Sequence, residues 1–109
     1  MNNQRIAILG AGSMGTAILA GLLRSGADAA QIAISTKTAA SAQRLTEQFG
    51  ITAYALETEP NANSKATASA DLILLAVKPA YVLEVLGEIA PSVEASALVI
   101  SVAAGAPTT

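Results

Sequence analysis

A glycine motif set between two different periodicities constrains this chain more than any other feature. The run Ile6-Ala7-Ile8-Leu9 is apolar and half β-branched, which reads as a strand buried on both faces. It breaks at Gly10-Ala11-Gly12-Ser13-Met14-Gly15. Beyond the break, apolar residues at Met14, Ala17, Ile18, Gly21 and Leu22 recur at spacings of three and four. That spacing marks a helix packed on a sheet, here over 13–25, with Gly26 suited to its C-terminal cap. A Gly-x-Gly-x-x-Gly match alone is weak, but between a strand and a helix it points to dinucleotide binding. Gly10 permits the tight turn, Gly12 lets a pyrophosphate approach the backbone without meeting a Cβ, and Gly15 lets the helix close on the strand. The N–H groups from Ser13 to Gly15 then face the phosphates, with the positive end of the helix dipole behind them. The competing interpretation is a purely structural glycine turn.

The rest of the chain alternates in the same manner. Strands are predicted over 31–35, 51–54, 72–77 and 97–102, and helices over 39–49 and 80–90. Gly50 closes the first of these helices and Pro79 opens the second. Residues 57–69 are polar and alanine-rich and read as a loop with a short helix. The order β-α-β-α-β-(α)-β-α-β predicts an α/β fold, a Rossmann-like, doubly wound parallel sheet with right-handed crossovers. The strands over 72–77 and 97–102 both read as buried. A chain of 109 residues has room for one such domain, over 1–109. Dinucleotide domains usually have a sixth strand, so the chain is expected to be a fragment, truncated after the fifth.

The residue inventory narrows the chemistry. There are no cysteines and no histidines. Disulfides, thiolate nucleophiles and zinc–thiolate sites are excluded, and the commonest general base is missing. No metal site is expected, and no residue stands out as a catalytic acid or base. A net charge of −2 gives no reason to expect nucleic acid or a membrane surface as partner. The apolar run before Gly10 is too short for a signal-peptide core or a membrane span, so a cytoplasmic location is the default expectation.

The end of the second strand addresses which dinucleotide binds. An NAD site usually places Asp or Glu there, on the ribose 2′-hydroxyl. Here the sequence is Ser35-Thr36-Lys37-Thr38, without a carboxylate. Hydroxyls and a cation suit a 2′-phosphate, so NADP (as NADPH) is expected over NAD. Lys37 is the charge partner, Ser35 and Thr36 are donors, and Arg44 is a weaker candidate. Alternatively, Thr36 or Thr38 caps the following helix and Lys37 is merely solvated. Ala76, Val77, Lys78 and Pro79 follow the fourth strand at its carboxyl end, where ligands of open parallel sheets lie. Ala76 and Val77 suit backbone and apolar contacts to the nicotinamide-side ribose, and Lys78 is either a ligand contact or a surface charge. Ala103, Ala104 and Gly105 hold the equivalent place on the last strand, where small side chains leave room for the nicotinamide or simply make a turn. Ser101, near the same end, reads as a hydrogen-bonded strand serine.

Four segments carry a family resemblance: residues 8–18, 70–79, 82–91 and 99–105. Through them the sequence resembles the N-terminal domain of pyrroline-5-carboxylate reductase. The segments Ala76-Val77-Lys78-Pro79 and Ser101-Val102-Ala103-Ala104-Gly105 separate it best from related dehydrogenases. The resemblance implies an oxidoreductase of proline biosynthesis that reduces Δ1-pyrroline-5-carboxylate, an imino acid, to L-proline with NADPH or NADH. It implies a cofactor contact for Asn63, eight residues before Asp71. It also implies a serine-x-arginine phosphate contact, of which Ser35 and Lys37 keep the serine and replace the arginine. Lysine lacks the planar two-pronged geometry of arginine, so 2′-phosphate affinity is expected to be weaker. Family members continue into a helical domain that dimerises and supplies most of the substrate site. A homo-oligomer through that absent domain, little turnover by this chain alone, and exposed apolar surface prone to association are the corresponding expectations. The alternatives are a hydroxyacid or prephenate-type dehydrogenase and a non-catalytic nucleotide-sensing module.

Overall fold

The computed structural model describes residues 4–10 and 12–101. Its strands are β1 (Ile6–Leu9), β2 (Ile32–Thr36), β3 (Thr52–Ala55), β4 (Leu72–Leu75) and β5 (Leu98–Ser101). The helices are α1 (Ser13–Arg24), α2 (Ala39–Phe49), α3 (Ala62–Thr67) and α4 (Val82–Ile89). All neighbouring strands run parallel, in the order β3-β2-β1-β4-β5. The chain builds outward from β1 to β3 on one side, then crosses over to build β4 and β5 on the other. The carboxyl ends of β1 and β4 therefore flank the point where the winding reverses, the place where such sheets receive ligands. The expected α/β, doubly wound architecture is present.

The core follows from the period-two alternation of the strands. Ile6, Ile8, Ile32, Ile34 and Leu74 face one side, where Leu19 of α1 and Leu45 of α2 close over them. Ala7, Leu9, Ile73 and Leu75 face the other, covered by Ala66 of α3 and by Val85 and Ile89 of α4. Every residue of β1 is buried, as its continuous apolar run predicts for a central strand with helices on both faces.

Helix ends obey local chemistry. After α1, Gly26 adopts φ +109°; its N–H donates to the Leu23 carbonyl (3.1 Å) and the Ala27 N–H donates to that of Leu22 (3.0 Å). This pair of bonds makes a Schellman termination. Gly50 ends α2 in the left-handed region, φ 73°, again as expected. Pro79 opens a 3-10 turn, Pro79–Tyr81, rather than α4 itself; the turn leads directly into the helix.

One expectation needs correcting. The last strand is not buried. Leu98 is 59% exposed and Ile100 39%, whereas Val99 packs into the core. The register pairs Leu72 with Leu98 and Leu74 with Ile100, which places Leu98 and Ile100 on the face that α1 and α2 cover farther along the sheet. β5 is an edge strand, and among the described residues no helix reaches that end of the face. Ser101, on the opposite face with Val99, is also exposed, at the carboxyl end of this edge strand.

Candidate dinucleotide site

The glycine turn leaves β1 at the carboxyl edge of the sheet. Gly10 has φ +81°, a conformation that L side chains rarely adopt. Space at Gly10 is as restrictive as the dihedral: a Cβ there would come within 2.6 Å of Val77 Cγ1 and 3.1 Å of the Ala76 carbonyl oxygen. The turn is thus clamped against the segment that follows β4, which the Ala76 N–H joins to the Leu9 carbonyl (2.9 Å). Gly12 is the opposite case. Its φ of −88° is ordinary, its ψ of −146° lies outside the helical and extended regions, and a Cβ there would meet nothing within 4 Å. No packing requirement of the described residues demands glycine at Gly12, and the space above it is open.

That openness is the cradle a pyrophosphate requires. Gly12 is the N-cap of α1, whose first turn receives no side-chain cap and contains no acidic residue. The leading N–H groups of a helix without such a cap are orphan donors that an anion satisfies well. Met14 is half-buried and Gly15 buried beneath them. The residues present therefore fit a dinucleotide. Ala11, Ala104 and Gly105 lie outside the described residues, as does Ala103.

Beneath the turn lies a buried polar relay. The Gly10 N–H donates both to the Ser35 carbonyl (3.1 Å) and to Ser35 Oγ (3.2 Å). The Ser35 hydroxyl in turn donates to Asn63 Oδ1. Asn63 Nδ2 donates to Glu88 Oε1 (3.1 Å), and the Asn63 carbonyl accepts from Thr67 Oγ1 (3.1 Å). Ser35 is 0% exposed and Asn63 5%. The serine expected to donate to a 2′-phosphate is thus directed inward, as a strut linking the end of β2 to the glycine turn. Asn63, which the resemblance assigns to the cofactor, sits behind the turn with both ends of its amide engaged by protein. Thr36 is also buried within β2.

The outer edge of the site is formed by the start of α2. Thr38 caps that helix, its Oγ1 accepting from the Ser41 N–H (3.1 Å), which settles the choice between Thr36 and Thr38. Lys37 is exposed beside it, and Arg44 is exposed farther along α2. Ala76 and Val77 are half-buried, whereas Lys78 and Pro79 are exposed. The fold therefore brings Gly10, Gly12, Ala76 and Val77 together at the switch point, with Lys37 at the neighbouring strand end.

Two acidic side chains at the site were not singled out from sequence. Glu88 of α4 is the partner of Asn63, and Glu57 places Oε1 2.8 Å from the Ala39 N–H at the head of α2. Glu57 stands two residues beyond β3, and in a parallel sheet that position is level with the end of β2; this is the signal from which it is recoverable. A separate cavity of about 210 Å³ opens at the opposite ends of the strands, lined by Arg5, Gln31, Thr52, Tyr54 and Lys65 among others. There Lys65 pairs with Glu59 and lies 5.9 Å from the Tyr54 ring centroid; the hydrogen bond to Glu59 holds its ammonium above the usual lysine pKa. No group of three or more acidic, histidine or cysteine side chains suited to a metal occurs among the described residues, and no described helix is long and apolar enough to cross a membrane.

Comparison with known proteins agrees with this architecture. Residues 5–105 match the family described as NADP oxidoreductase coenzyme F420-dependent. The chain is 35% identical over 107 residues to a pyrroline-5-carboxylate reductase of Pseudomonas aeruginosa, covering 98% of this chain and 37% of that protein. It is 38% identical over 103 residues to the Escherichia coli protein of the same name, covering 94% and 36% respectively. A solved pyrroline-5-carboxylate reductase from Coxiella burnetii superposes with a TM-score of 0.81 at 28% identity, over 95% of this chain and 37% of that one. The chain thus spans little more than a third of the length of these relatives. The resemblance read from the glycine loop and the strand-end segments is borne out.

Proposed function

The chain belongs to the family described as NADP oxidoreductase coenzyme F420-dependent, and from that premise we propose that it is the dinucleotide-binding part of a pyrroline-5-carboxylate reductase. The observation that carries this reading is the contrast within the glycine loop: Gly10 is locked by packing, while Gly12 opens onto free space at the head of an uncapped helix. When bound, the nicotinamide would supply a hydride to the C=N carbon of Δ1-pyrroline-5-carboxylate, and a proton taken from solvent on the ring nitrogen would complete L-proline.

The chain's own residues hold and orient. N–H groups from Ser13 to Gly15 receive the pyrophosphate, and Ala76 and Val77 form an apolar wall at the switch point. The relay of Gly10, Ser35, Asn63 and Glu88 keeps the turn in register from beneath. Lys37 supplies the positive charge for a 2′-phosphate, which favours NADPH. Orientation of the two reactants supplies much of the rate in such a reaction. The imino-acid site and a homo-oligomeric assembly belong to the longer protein, and a cytoplasmic location accords with this role.

The test is NADPH oxidation with Δ1-pyrroline-5-carboxylate, assayed on a polypeptide that carries this segment at the length of its relatives. Turnover is expected. Absence of turnover, together with activity on a hydroxyacid, contradicts the reading. Parallel titration with both dinucleotides checks the cofactor preference, and tighter binding of NADH contradicts the assignment to NADPH.

A further inference from the structure

We propose that Glu57 is a specificity-determining residue, a carboxylate that stands where a 2′-phosphate must be received and thereby limits the preference for NADPH. This rests on the dinucleotide reading above.

The end of β2 carries no acid of its own, but the fold brings one in from the next strand. The β2–β3 ladder ends with Thr36 opposite Ala55. The pairing then continues past both strands: the Leu56 N–H donates to the Thr36 carbonyl (2.8 Å) and the Glu57 N–H donates to the Lys37 carbonyl (3.0 Å). Glu57 is therefore held by its backbone beside Lys37, at the carboxyl edge of the sheet. Its side chain reaches the head of α2, where Oε1 accepts from the Ala39 N–H (2.8 Å). In NAD sites the carboxylate for the ribose 2′-hydroxyl comes from the end of the second strand. Here the third strand delivers the same chemical group to the same edge.

The electrostatic consequence has a definite sign. A carboxylate accepts a hydrogen bond from a ribose hydroxyl and repels a phosphate that carries close to two negative charges. Glu57 already takes one of the free N–H donors of α2, and the Thr38 hydroxyl takes another at Ser41. An arriving 2′-phosphate meets Lys37 as a cation and Glu57 as an anion at the same helix end. The two charges oppose each other, so the NADPH preference that Lys37 confers is reduced.

Glu57→Gln tests this without removing the helix cap, because the amide oxygen still accepts from Ala39. The chain and the variant are titrated with NADPH and with NADH at low and high salt, and melting temperatures are compared. The expected result is about three- to tenfold tighter NADPH binding in Glu57→Gln, with NADH unchanged or weaker. That gain should shrink as salt rises, while melting stays close to the parent. Glu57→Lys should shift the ratio further in the same direction. An unchanged NADPH-to-NADH ratio in both variants, with dinucleotide binding intact, overturns the role of Glu57 alone. Failure of the parent chain to bind either dinucleotide overturns the reading on which it rests.

Discussion

Gly10 and Gly12 sit two residues apart in one motif yet answer to different constraints. Gly10→Ala forces a Cβ onto Val77 and the Ala76 carbonyl and holds an L residue at φ +81°. We expect it to cost about 2 kcal/mol or more, since overpacking and left-handed strain add; urea denaturation checks this. Gly12→Ala meets no atom, and its only backbone cost comes from a ψ of −146°. Its stability should fall by no more than about 1 kcal/mol, while dinucleotide affinity falls at least about tenfold because the pyrophosphate loses its close approach. Equal destabilisation by both substitutions would mean that Gly12 is there for packing. Ser69 supplies a converse case, as a non-glycine residue with φ 66° between α3 and β4. Ser69→Gly relieves that strain and should stabilise by roughly 1 kcal/mol, visible as a higher Tm; a lower Tm would show that its side chain outweighs the strain.

Elements are connected through the relay at the end of β2. Asn63→Ala leaves the Ser35 hydroxyl and the Glu88 carboxylate without their partner. An unmade buried hydrogen bond costs about 1–3 kcal/mol, so a stability loss of that size is expected; a loss below it would mean that water replaces the amide. Much at this scale was legible in the sequence. The bounds of α2 were readable from its apolar period and Gly50, and β1 from its apolar run, because those signals are local. The burial of Ser35 and the delivery of Glu57 to the head of α2 were not. Both depend on which strand lies beside which and in what register, and neither follows from the residues adjacent in sequence. The resemblance supplied Asn63 as a residue of interest, but its place behind the turn follows from the packing of α3 against β2 and α4. β5 was misread as buried for a related reason. An apolar run looks the same in a covered strand and in an edge strand with one uncovered face.

At the scale of the whole molecule, the described residues cover the sheet well near β1 and β2 and leave one face uncovered at β5. Leu98 and Ile100 remain exposed on one face, and an apolar edge strand invites pairing with another chain. Concentration-dependent association is therefore expected in size-exclusion chromatography, and Leu98→Ser with Ile100→Thr should reduce it; a monomer at all concentrations in the parent chain would contradict this. The central claim, however, is that the carboxyl edge of the sheet holds a nicotinamide dinucleotide on the glycine loop. Backbone amide shifts in a heteronuclear NMR titration with NADPH test it most directly. The account predicts saturable binding with the largest shifts at Gly12, Met14, Gly15, Ala76 and Val77. Shifts confined to Arg5, Gln31, Thr52 and Lys65, around the cavity at the opposite end of the strands, would contradict it.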